Sequence, residues 1–301
     1  IKFRGSLHYS QIISEHQVAF ENEIISQFIS FTMFSLFLTG ANSARWAVLY
    51  AGSNGFYNYR HQADICNMYV QLKNRGFDDK HIIQCQYDDI AQASSNPFKG
   101  QIFHTLEHIN VYPGSSAIDY TGKTVTAQRF YDVLTELPST SQDYVYVYYD
   151  NHGGPGILGV PDGCGGYITS QKLAEAFDTM AANNKYKYLL FGIEACYAGS
   201  IGEAIKAPKM ATITAANAKE SSYAAVMDRS VGTYLTNEFS NYWMDYMDQN
   251  PDKTIDQMFT TVKSQTKGSH VMYYGDESMK SLQISLFFGT PNKVVASRNS
   301  I

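Results

Sequence analysis

Two stretches decide how this chain folds: Tyr144–Gly154, YVYVYYDNHGG, and Tyr186–Gly199, YKYLLFGIEACYAG. Each opens on an apolar and aromatic run of strand length and then breaks into a glycine-containing turn, as a buried strand does when it ends abruptly. The strands are read as Tyr144–Tyr149 and Tyr186–Ile193, with His152 just beyond the first and Cys196 just beyond the second, 44 residues later. A helix from Thr169 to about Ala182 fits between them. Such a strand–helix–strand crossover sets its two strands parallel, with their carboxyl ends side by side. Ligands bind at those ends in parallel sheets, so the two turns are expected to face one cleft.

The same alternation extends outward. Trp46–Tyr50, His81–Cys85, Met210–Thr214 and Val271–Tyr274 read as strands. Helices are expected over Arg60–Arg75, closed by Gly76, and over Thr126–Leu137, Thr233–Met247 and Thr254–Thr266. Residues 92–125 and the glycine-rich run Asn151–Gly166 read as loops. The pattern predicts one α/β domain with about six mostly parallel strands and helices on both faces.

Composition narrows the function. With 44% hydrophobic and 17% charged residues among 301, the chain can bury a large core and is not disordered. Its 23 basic and 28 acidic side chains give a formal charge of −5, which excludes a nucleic-acid binder. Four cysteines, with no CxxC pair and no Cys/His cluster, imply no zinc site, no other metal and no disulfide framework. The apolar run Ile24–Ala41 is broken by Ser26, Gln27, Ser30, Thr32 and Ser35, and its continuous part Met33–Ala41 is shorter than the roughly 20 residues a spanning helix needs. It reads as a secretory signal peptide, with small residues from Thr39 to Ala44 as the cleavage zone. Residues 1–45 are therefore set apart as a signal or pro-segment, and the expected location is the secretory pathway, in a lysosome or vacuole or outside the cell.

A thiol is a competent nucleophile near neutral pH when a neighbouring base takes its proton, and imidazole titrates in the needed range. His152 and Cys196 form that dyad, with the Gly153 and Cys196 backbone amides placed to hold an oxyanion. The other cysteines read otherwise: Cys66 and Cys85 as small buried hydrophobes, Cys164 as an incidental surface thiol. His8, His16, His81, His104 and His108 read as solvated or capping residues, and His270 is unassigned.

Further blocks carry a resemblance. Ala51–Gly55, Tyr57–Asp64, His152-Gly153, Glu194-Ala195-Cys196, Ala215–Asn217 and Glu220–Tyr223 resemble, in order and spacing, the legumains, the asparaginyl endopeptidases or vacuolar processing enzymes among the caspase-like cysteine peptidases. The resemblance runs from about Trp46 to Gly289, leaving 46–289 as the peptidase domain and 290–301 as a polar tail. It implies Cys196 as nucleophile, His152 as proton donor and acceptor, and Asn58 as the side chain orienting the imidazole. It also implies a pocket for the residue before the scissile bond made by Arg60, His61, Glu194 and Ser221, flanked by Ser222 and Tyr223, with a fifth position at Asn237. An asparagine side chain presents one acceptor and one donor group, which Arg60 and Glu194 satisfy. Protein or peptide substrates and cystatin-type inhibitors are the implied partners, and no cofactor is. The same thioester captured by an amine would make a ligase. A transamidase-like subunit and an inactive binding scaffold are the weaker alternatives.

Three departures from the family pattern carry expectations. The family usually has an acid where Asn237 stands, so the pocket is expected to be more positive and to tolerate aspartate. Asn151 replaces an aspartate prone to cyclise to succinimide, and Asn before His can cyclise too. Tyr197 replaces a frequent glutamate, which is expected to move the pH optimum upward. The family's C-terminal helical prodomain is not found before Ile301, and Asn292 and Asn299 in the tail are candidate self-processing sites.

Overall fold

The run Tyr144–Asp150 forms β3, buried along its whole length, which is why it is apolar at almost every position instead of alternating. The computed structural model describes residues 43–291. The signal-peptide reading and the self-processing candidates Asn292 and Asn299 lie outside the described residues. Flanking β3 in parallel are β1 (Arg45–Ala51) and β7 (Tyr188–Glu194). Beyond β1 lies β2 (Ile82–Cys85), and beyond β7 lie β8 (Met210–Thr214) and the antiparallel edge β11 (Met272–Gly275). The spatial order of this six-stranded sheet is β11-β8-β7-β3-β1-β2.

Alternate side chains of the central strands enter two separate cores. Val145, Val147 and Tyr149 pack with Phe130 and Phe177 of helices α2 (Ala127–Glu136) and α3 (Ser170–Ala182). Tyr146, Tyr148 and Leu190 pack on the opposite face with Leu72, Phe239, Trp243 and Met258, supplied by α1 (Tyr59–Asn74), α5 (Glu238–Gln249) and α6 (Ile255–Gln265). Trp243 is fully buried, and truncating such a residue to alanine costs about 3–5 kcal/mol. Thr126, Thr169 and Thr254 cap the starts of α2, α3 and α6, the last with Gln257 as a complete capping box. Two short helices, α4 (Gly199–Gly202) and α7 (Ser285–Phe288), complete the set. Among the described residues no helix is long and apolar enough to cross a membrane.

The helix expected over Thr233–Met247 begins only at Glu238. Thr233–Asn237 is instead β10, paired antiparallel with β9 (Ala224–Asp228). The turn between them is built by the Asp228 carboxylate, which accepts from the Ser230 and Val231 amides, and by Gly232 at φ 83°. Leu235 and Phe239 sit four apart and mimic helical spacing, but β-branched Thr233 and Thr236 favour the strand. The loop expected over Asn151–Gly166 also holds structure: β4 (Gly153–Gly154) and β5 (Ile157–Leu158) join β6 (Ile168–Thr169) in a small antiparallel sheet.

Candidate active site

Asp150 and Glu194 are register partners at the ends of β3 and β7, so His152 and Cys196 each stand two residues past the same rung. The ladder continues one step further, with the Asn151 amide donating to the Glu194 carbonyl at 3.1 Å. Gly153 lies so close to the Cys196 backbone that a Cβ there would strike the Cys196 carbonyl oxygen and the Ala195 side chain, which is the reason for a glycine after the histidine. Tyr197 sits in the left-handed region at φ 56° and donates its amide to the Glu220 carbonyl at 2.7 Å. The chain thus turns sharply after Cys196, whose half-buried thiol donates to the Ser222 carbonyl at 3.7 Å.

Asn58 orients the imidazole. Its Nδ2 donates to the Asn54 carbonyl at 2.9 Å, which turns Oδ1 toward His152 Nε2 at 2.8 Å. An amide oxygen only accepts, so Nε2 carries the hydrogen and Nδ1 keeps its lone pair. Burial of the ring's inner face lowers the His152 pKa, Arg60 lowers it further, and Asp162 opposes them. The neutral, basic form therefore persists into mildly acidic water. His61 lies edge-on beneath this ring, with centroids 4.9 Å apart, and its Nδ1 meets Ser53 Oγ at 2.7 Å. Its burial, with Arg60 and His152 nearby, holds its pKa well below the usual histidine range. His61 is thus a neutral ring packed edge-on against His152.

Beside the dyad lies a buried polar cluster. Arg60 Nε donates to Asn237 Oδ1 at 2.9 Å. Asn237 Nδ2 donates both its hydrogens, to Asp64 Oδ2 at 2.8 Å and to Asp150 Oδ1 at 3.0 Å. Asn237 therefore keeps an acceptor on Arg60, and Asp64, Asp150 and Glu194, each at most 1% exposed, crowd behind it. Glu194 Oε2 accepts from both the amide and the hydroxyl of Ser240 at 3.1 Å, in the first turn of α5, where a helix N-terminus favours a carboxylate. Glu194 Oε1 is buried without a hydrogen-bond partner. Burial pushes the Glu194 pKa up to about 8, with Ser222 and Ser240 opposing and the charge of Asp64 reinforcing the rise.

The remaining expected residues are placed as follows. Ser221 and Ser222 are half-buried and Tyr223 is exposed, on the segment entering β9. Asn151 is buried, donating Nδ2 to the Gly52 carbonyl. A cleft of about 250 Å³ opens beside the dyad, lined by His152, Gly153, Gly154, Ile157, Gly159 and Tyr167. Cys164 is buried, against its reading as a surface thiol, with its sulfur 3.7 Å from the Gly122 carbonyl. His104 is buried rather than solvated, its Nε2 2.9 Å from Asp64 Oδ1. His81 stacks edge-on against Trp46 and pairs with Asp78, and His108 pairs with Asp228 while stacking on Phe103. Asp150, Ser240 and His104 escaped the sequence reading as site residues. The one signal was Asp150 itself, an acid closing an otherwise apolar strand.

The chain matches the Peptidase C13 family over residues 45–290. It is 37% identical over 274 residues to a vacuolar-processing enzyme of Citrus sinensis, covering 82% of this chain and 55% of that protein. It is 37% identical over 262 residues to a hemoglobinase of Schistosoma japonicum (83% and 61%) and 36% identical over 264 to the legumain of Homo sapiens (82% and 60%). The chain thus spans a little over half the length of these relatives. Among solved structures, caspase-1 from Spodoptera frugiperda superposes with a TM-score of 0.50 at 12% identity, over 84% of this chain and 94% of that one, a likeness of fold.

Proposed function

This chain belongs to the Peptidase C13 family, and from that premise we propose that it is a cysteine endopeptidase cleaving peptide bonds after asparagine, with 46–289 as its peptidase domain. The observation that carries the proposal is that His152 and Cys196 each stand two residues past the Asp150–Glu194 rung that ends β3 and β7, with Asn58 hydrogen-bonded to the ring. His152 takes the thiol proton, and the Cys196 thiolate attacks the substrate carbonyl. The backbone amides of Gly153 and Cys196 hold the oxyanion. The imidazolium returns its proton to the leaving amine, and water then hydrolyses the thioester, with His152 acting as base again. The proposed substrates are proteins or peptides, and the names of the plant relatives favour a vacuolar or lysosomal setting.

The pocket reads the side chain before the scissile bond with two poles. Arg60 uses one nitrogen on Asn237 and offers others to the substrate's carbonyl oxygen, while Glu194 Oε1 accepts from its amide. Sites of this kind discriminate by leaving buried polar groups unpaired with a wrong substrate. Burial raises the Glu194 pKa to about 8, and in its protonated form Glu194 can donate to an aspartate carboxylate. The test is hydrolysis of matched fluorogenic peptides with Asn or Asp before the bond from pH 5 to 9, against Cys196→Ser. Thiol-dependent cleavage after Asn, with Asp cleavage gaining as pH falls, supports the proposal; absence of Asn cleavage, or its survival in the variant, overturns it. Amide products formed with an added amine nucleophile would identify ligation instead.

A further inference from the structure

Ser240 Oγ stands 2.7 Å from the Tyr148 hydroxyl, 3.2 Å from Asp150 Oδ2 and 3.1 Å from Glu194 Oε2. A serine hydroxyl has one hydrogen and two acceptor lone pairs. It cannot donate to both carboxyl groups, and a contact at this distance between two bare acceptors in a buried site is repulsive. One of the two acids must supply the missing proton.

Counting donors identifies which. Asp64 receives the Asn237 amide and one Nδ2 hydrogen on Oδ2, and the Thr236 hydroxyl on Oδ1, with His104 Nε2 2.9 Å from Oδ1 but outside hydrogen-bond geometry. Glu194 receives the Ser240 amide, and its other oxygen is buried without a hydrogen-bond partner. Asp150 receives a single hydrogen outside the Ser240 contact, from Asn237 Nδ2, and is wholly buried between the other two acids.

Building on the proposed asparaginyl specificity, we propose that Asp150 is a specificity-determining positioning residue that holds a proton in the working enzyme. As a carboxylic acid it donates to Ser240 Oγ, and Ser240 then donates both its hydroxyl and its amide hydrogens to Glu194 Oε2. Glu194 Oε1 is left as the atom that gains or loses a proton. Ionised, it accepts from an asparagine amide; protonated, it donates to an aspartate. The polarity of the pocket floor is thus set one side chain behind the residues that touch substrate. The charged and titratable groups facing Asp150 are Arg60 and Asp64 of α1, Glu194 of β7, and Tyr148 and Tyr149 of its own strand, with His104 beyond Asp64; α5 contributes Ser240. Burial, then the charges of Asp64 and Glu194, raise the Asp150 pKa well above the usual carboxylate range, against Arg60.

The decisive variant is Asp150→Asn, whose amide presents the same acceptor to Asn237 and the same donor to Ser240 without a charge. The readout is the pH midpoint at which the Asp-to-Asn ratio of kcat/KM changes. If Asp150 is protonated, Asp150→Asn leaves that midpoint in place and the ratio within about threefold, whereas Asp150→Ala, shown folded by circular dichroism, lowers discrimination about tenfold, the worth of one neutral hydrogen bond in a buried site. If Asp150 is ionised, removing its charge moves the midpoint to markedly lower pH in Asp150→Asn, and the inference is overturned. An unchanged ratio in folded Asp150→Ala also overturns it. The infrared spectrum near pH 6 tests the proton without any turnover: a protonated-carboxyl band additional to that of Glu194, present in the wild type and in Glu194→Gln but lost in Asp150→Asn, is expected, and its absence rejects the inference. A wild type inert on both peptides defeats the asparaginyl reading, and the specificity role with it, while the spectrum still decides where the proton lies.

Discussion

The dyad and the acid cluster hang from the same two strand ends, yet they are built in opposite ways. Asp150 and Glu194, on the last rung, are buried and hydrogen-bonded to Asn237 and Ser240, with Glu194 Oε1 alone left without a partner. His152 and Cys196, two residues on, lie where the sheet has stopped; the ring is exposed, the thiol half-buried, and a single side-chain hydrogen bond orients the ring. Chemistry requires groups free to exchange protons with substrate and water. Recognition requires poles that do not move, and a low-dielectric interior keeps them strong. One pair of strands serves both because two further residues carry the chain from the interior to the cleft.

The comparison breaks most visibly at the dyad. Cys196→Ala should lower turnover of an Asn peptide about 10⁴-fold or more, leaving binding of a peptide product nearly unchanged; a residual rate within tenfold would move the nucleophile elsewhere. On the recognition side, Arg60→Gln should cost about 100-fold in kcat/KM, the value of a charge-assisted hydrogen bond in a site closed to water, with the loss seen mainly as a higher KM. Asn58→Ala should cost about tenfold in kcat at unchanged KM, since it frees the ring without touching the pocket. The acid limb of the rate profile, set by His152, should lie below the ordinary imidazole range, because its pKa is lowered and the base is neutral only above that value. A limb at or above free imidazole would contradict the assigned environment. The smallest change is a control outside both regions: Thr254→Ala removes the capping box of α6 and should cost about 1 kcal/mol of stability, read by denaturant unfolding, with activity unaltered.

These two regions also differed in how far the sequence revealed them. The dyad was legible because each member follows an apolar strand and precedes glycine, signals that depend on local chain chemistry alone. The sheet was legible for the same reason, down to Met210–Thr214, whose bounds match β8. The hairpin β9–β10 was not, because a strand of five residues running directly into α5 blends its apolar spacing with the helix that follows. The acid cluster was the hardest to see. Asp64, Asp150, Glu194 and Ser240 come from four elements, and nothing in any one of them says that the others are adjacent. The consequence fell on Asn237: read alone it is a lost charge, whereas in place it is an amide whose two hydrogens are taken by buried acids and whose oxygen still holds Arg60.

The central claim is that Cys196 carries an acyl group formed at asparagine. Acid-quenching the protein within milliseconds of mixing with an Asn peptide ester, followed by peptide mapping by mass spectrometry, tests it directly. The account predicts an adduct of the acyl mass on the peptide containing Cys196, absent from Cys196→Ala and discharged on standing at neutral pH. Peptide cleavage with no adduct at Cys196, or an adduct on Cys66, Cys85 or Cys164 instead, would contradict it.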